Sequence, residues 1–148
     1  MTEIDLFVVP PGEDDEFLAA WREEPRTAVL HRALRDGVEF RFAAIGEGGV
    51  PDAEAGCVLI EPFAVPEGED ERFVAGWQRA RAAVADQRGY LGTRLHRSVG
   101  DSPFRFVSLA RWSSPLMFAR ATQRPEFRAA GAGLPYTAHP ALYSVVDA

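Results

Sequence analysis

The chain has no lysine and no asparagine, and only one cysteine among its 148 residues. Without lysine there is no Schiff-base chemistry and no phosphate-binding P-loop. The lone Cys57 makes neither an internal disulfide nor a multi-cysteine metal site. No apolar run approaches the ~18 residues that a membrane span requires. The opening MTEIDLFVVPPGEDDEF lacks a basic segment followed by an apolar one, so a cytoplasmic protein is expected. HExxH, GxSxG and GxGxxG are absent too. All 16 basic residues are arginine, and the net charge of −6 argues against nucleic acid or anionic membrane as partner. What remains is the composition of a soluble globular domain, 47% hydrophobic and 26% charged.

An internal repeat organises this chain. FVVPPGEDDEFLAAW at 7–21 matches FAVPEGEDERFVAGW at 63–77, an offset of 56. Farther on, LHRALRDGVEFRF at 30–42 answers LHRSVGDSPFRF at 95–106, now offset by 64 or 65. The second copy has gained a helical turn or two between its Trp and its LHR.

In the second copy, CVLIEPFAV at 57–65 reads as a strand and PEGED at 66–70 opens a helix with acidic residues at its positive end. Phe73, Trp77, Ala80 and Val84 form one apolar stripe on that helix. Residues 90–98 and 104–112 alternate as two strands around a Gly100-Asp101-Ser102-Pro103 turn. A second helix is expected over 115–130 and a last strand over 141–146. The order β-α-β-β-α-β is the ferredoxin-like unit, an α+β fold. The first copy yields β (4–9), α (13–23), β (27–35) and β (38–45), and then GEGGVPDAEAG at 46–56 leaves no room for a further helix and strand. The expected organisation is a half-repeat over 1–48 and a complete unit over 57–148.

The second copy resembles the antibiotic biosynthesis monooxygenase superfamily. The resemblance rests on VLIEPFAVPEGE at 58–69, the Phe73/Trp77 pair, GYLGTRLHRS at 89–98, FRFVSLARWSS at 104–114, PEFR at 125–128 and HPALY at 139–143. It implies a dimeric α+β barrel and a cofactor-independent oxygenase acting with O₂ on a small aromatic or polyketide-type substrate, without cofactor or metal. Oxygenases of that kind carry an asparagine four residues before a strand-end tryptophan. Here the tryptophan is Trp112 and Ser108 stands in the asparagine's place. Relatives that degrade haem need a histidine on the second helix, and 115–130 has none. In the first copy Ala44 and Gly48 fall where Ser108 and Trp112 stand, which confines the chemistry to the second copy.

Strand alternation and a symmetric turn over 99–103 would put Arg94 opposite Ser108. Arg94, His96, Ser108 and Trp112 would then form one patch able to hold and deprotonate a phenol or enol. Tyr90, Phe106, Phe118, Tyr136 and His139 are candidate substrate contacts. Against a catalytic His96 stands its echo His31, in the copy without the other site positions, which points to a structural role for both. Phe73/Trp77 and Phe17/Trp21 read as core stripes, and Glu13–Glu16 and Glu67–Glu71 as solvated helix starts. Alternatives to the oxygenase are a polyketide cyclase using the same pocket, or a non-catalytic binding or assembly protein. Because the first copy is short, a homodimer is expected, with the strands of 4–45 extending or flanking the barrel.

Overall fold

A computed structural model describes residues 3–24, 27–46, 55–97 and 102–146. The linker at 47–54, Gly48 and the Gly100-Asp101 half of the expected hairpin turn lie outside the described residues. The chain forms two compact units, residues 1–51 with 141–148, and residues 52–140.

The first unit contains β1 (Ile4–Phe7), α1 (Asp14–Arg22), β2 (Val29–Ala33) and β3 (Phe42–Ile45), and its fourth strand comes from the far end of the chain, β8 (Ala141–Val145). The expected last strand thus forms where the sequence places it. It pairs with β2, His31 opposite Val145 and Ala33 opposite Tyr143, so the first copy holds four strands and not three. β1 and β2 flank β3, all antiparallel.

The second unit runs β4 (Cys57–Ala64), α2 (Asp70–Val84), β5 (Tyr90–Arg97), β6 (Phe106–Trp112), α3 (Pro115–Thr122), α4 (Pro125–Ala132) and β7 (Thr137–Ala138). β6 lies between β4 and β5, and β7 pairs with the outer side of β4. Where the sequence suggested one helix over 115–130, Pro125 divides it. Proline lacks the N–H that would continue the first helix and holds the preceding Arg124 extended, at ψ 140°. α3 begins at Ser114, whose Oγ accepts from the Met117 N–H, with Pro115 in the first turn where no N–H is needed.

The repeat is visible in the packing. In the first unit Phe17 stacks on Phe42 at 4.5 Å and meets Phe7 at 5.1 Å. In the second, the corresponding Phe73 stacks on Phe106 at 4.8 Å and meets Phe63 at 4.9 Å. Ion pairs repeat as well. Arg41 binds Asp14 at 2.9 Å, and Arg105 with Arg97 binds Asp70 at 2.8 and 2.7 Å. These acidic helix starts are therefore anchored, not merely solvated. Together the elements make an α+β, ferredoxin-like fold in which a helix covers the aromatic face of its own sheet. Among the described residues no helix is long and apolar enough to cross a membrane.

Candidate active site

Between the sheet and helices of the second unit lies a cavity of about 470 Å³. That is within the ~300–1,000 Å³ range of small-molecule pockets. Its floor is one face of the sheet. Strand register sets Glu61 opposite Ser108, Leu59 opposite Ala110 and Cys57 opposite Trp112, and the next strand adds Thr93 opposite Ala110. Trp77, Arg81 and Val84 of α2 line one side, and Phe118 and Phe127 of the later helices line the other.

Of the residues expected from the sequence, Ser108, Trp112, Tyr90, Phe118 and Tyr136 line this cavity. Trp112 is buried at its end, with Tyr90 and Phe118 edge-on at 5.4 and 5.5 Å. Tyr136 packs edge-on against Phe73 at 5.3 Å and its hydroxyl donates to Glu69 at 3.4 Å. Phe106 shares the cavity's face but is sealed beneath Phe73, as core. His139 stacks edge-on with Phe104 at 5.3 Å beside the cavity, and its backbone N–H donates to Pro62.

Arg94 and His96 do not join Ser108. Arg97 pairs with Phe106, so the connection is one residue longer than a symmetric turn over 99–103. Side chains alternate with period two, and a one-residue change therefore turns a strand over. Leu95, not Arg94, faces Ser108, while Arg94 and His96 stand opposite Leu109 and Val107 on the sheet's other face. There Arg94 is exposed, and burial followed by the Arg94 charge pushes the His96 pKa down. His31 is fully buried, its pKa lowered by desolvation and its Nδ1 3.1 Å from the Val29 carbonyl.

Tyr90 reaches the cavity through a β-bulge. The register shifts between Tyr90 and Gly92, which returns Tyr90 to the side of Trp112. Gly92 has φ +136°, and a Cβ there would sit 2.6 Å from Arg111 Nη2. That same guanidinium donates to the Leu91 carbonyl at 3.1 Å, clamping the bulge. The Tyr90 hydroxyl then meets Thr93 Oγ1 across it. Gly92→Ala should cost about 1–3 kcal/mol in chemical denaturation, since it strains the backbone and displaces Arg111. A variant as stable as the parent would show that the bulge does not need this glycine.

Two functional candidates escaped the sequence reading. Glu61 sits in the middle of the cavity floor among apolar neighbours, and desolvation raises its pKa from 4.5 to about 7. The signal was a carboxylate inside the otherwise apolar CVLIEPFA strand. Trp77, read as core, is also a polar contact, because its indole N–H donates to Ser108 Oγ at 3.1 Å. Ser108 accepts that bond, so its own proton is left to be donated. The indole N–H of Trp112 is buried without a protein acceptor among the described residues. The site thus offers one base poised near neutrality, a directed hydroxyl and flat aromatic walls.

Residues 57–133 match the antibiotic biosynthesis monooxygenase family, and the chain belongs to it. A candidate monooxygenase from Shewanella loihica is 33% identical, with a TM-score of 0.55 over 64% of this chain and 98% of that one. SnoaB, a cofactor-independent oxygenase from Streptomyces nogalater, is 24% identical, with a TM-score of 0.56 over 64% of this chain and 96% of that one. A ferredoxin-fold protein from Listeria monocytogenes related to these monooxygenases spans 99% of this chain and 94% of its own, at 13% identity and a TM-score of 0.59. None of the curated proteins matches the chain.

Proposed function

We propose that the second unit is a cofactor-independent monooxygenase that oxygenates a planar aromatic, polyketide-type substrate in secondary metabolism. The observation that carries this reading is Glu61. It is a carboxyl with no ion-pair partner among the described residues, facing a largely apolar cavity, with its pKa near 7. Family membership supports the same reaction class.

In this reaction the substrate supplies the electrons. Glu61 takes a proton from an activated ring CH₂ flanked by phenols or a ketone, leaving a carbanion delocalised as an enolate. Ser108 donates to the enolate oxygen, and the Trp112 ring lines the cavity beside it. The carbanion passes one electron to O₂, and the radical pair closes a C–O bond. Protonated Glu61 returns its proton to the peroxide, and loss of water leaves a ketone. One oxygen atom stays in the product and the other leaves as water. The apolar walls keep bulk water from quenching the carbanion.

Glu61 must be ionised to act, so kcat/KM should fall about tenfold per pH unit well below 7 and level off above it. A panel of anthrones with the purified protein tests the reaction, with one O₂ consumed per quinone formed. Equal turnover without O₂ would overturn oxygenation and leave a cyclase-type reaction on the same base, a reading that Ser108 in place of asparagine favours. Cytoplasmic location and the homodimer belong to this proposal too. Light scattering should give about twice the chain mass of 16.3 kDa, and a 16.3 kDa particle would contradict the dimer.

A further inference from the structure

Among the residues lining the cavity, two carry formal charge, Glu61 on the floor and Arg81 at the rim. Arg81 lies in the last turn of α2 and is exposed, with its guanidinium carbon 5.7 Å from the centroid of the Trp77 ring. A guanidinium held over a ring face by its charge keeps an N–H edge that can bind an anion. No carboxylate of a described residue takes that edge. Trp77 in turn holds Ser108 at 3.1 Å, and Ser108 stands opposite Glu61. A line of contacts therefore runs from the rim arginine to the floor.

We infer that Arg81 binds a carboxylate of the substrate, which makes the ligand an aromatic monocarboxylic acid. The assignment rests on the cavity being the substrate site, as proposed above. Its rings fill the apolar cavity, its anionic group stays at the solvent edge on Arg81, and the reacting carbon lies over Glu61. The reverse pose is disfavoured, because it would bury an anion among apolar walls beside a second carboxyl. Arginine takes carboxylates with two parallel N–H bonds, which fixes direction as well as affinity. The charge at one end thus selects which edge of a flat molecule reaches the base.

Binding of 9-anthracenecarboxylate and 9-anthracenemethanol, followed by anthracene fluorescence anisotropy, separates the charge from the ring. The parent should bind the carboxylate about tenfold more tightly than the alcohol at low salt, and added salt should erode that preference. Arg81→Gln, an exposed change that leaves the core intact, should bind the two alike at the alcohol's affinity. A parent without preference, or an Arg81→Gln protein that keeps it, would overturn the assignment of Arg81. If neither ligand binds the parent, the cavity reading fails and the arginine's role with it. If the alcohol alone binds, the cavity stands and the carboxylate does not.

Discussion

Glu61→Gln should abolish turnover while making the folded protein more stable in mild alkali. Removing a general base typically costs about 10²–10⁴-fold in rate, and glutamine cannot accept the substrate proton. The stability effect has the opposite sign because the glutamate is held against its own solvation. Its pKa is about 7 in the fold against 4.5 when free. The folded state binds the proton more tightly than the unfolded chain does. Glu61's contribution to stability is therefore fully present below pH 4.5 and is lost as pH rises through about 7. By pH 8 the loss amounts to as much as about 3 kcal/mol, which the neutral variant avoids. Thermal melts at pH 4 and pH 8 should show the two proteins converging at the lower value and the variant ahead at the higher one. An active variant would remove Glu61 from the chemistry. An inactive variant destabilised at both pH values would make it a structural residue.

Phe73→Ala should have the largest effect on stability. Its side chain is fully buried, stacked on Phe106, and edge-on to Phe63 and Tyr136. Deleting a buried phenylalanine costs about 3–5 kcal/mol, a large share of a small domain's stability. Phe17, its counterpart in the first unit, is only half-buried, so Phe17→Ala should cost less. Urea denaturation of both variants reads the difference, and equal costs would mean that the repeated aromatic clusters carry equal weight.

The fold was largely legible because duplication supplied an internal control. The match of 7–21 with 63–77 located two equivalent helix starts, and the aromatic clusters occupy those positions. The site was legible only in part, and for a local reason. Periodicity says which residues of one strand share a face, but pairing between strands depends on the length of the turn. One extra residue between Arg97 and Phe106 sent Arg94 and His96 to the other face. A bulge at Leu91 brought Tyr90 back to the cavity, and nothing in alternation announces a bulge except Gly92. Glu61 was hidden differently. It stands in a mostly apolar strand whose alternation singles out no carboxyl, and the cavity over it is lined by residues of the helices that follow.

The cavity that Glu61 faces tunes its carboxyl towards neutrality. ¹³C NMR titration of the side-chain carboxyl carbons, with Glu61→Gln to assign the resonance, measures that tuning. The Glu61 carboxyl should titrate with a midpoint near 7, in a resonance absent from the variant. A Glu61 midpoint near the unperturbed 4.5 would contradict it, since a carboxylate so fully ionised and solvated would be a weak base in an open site.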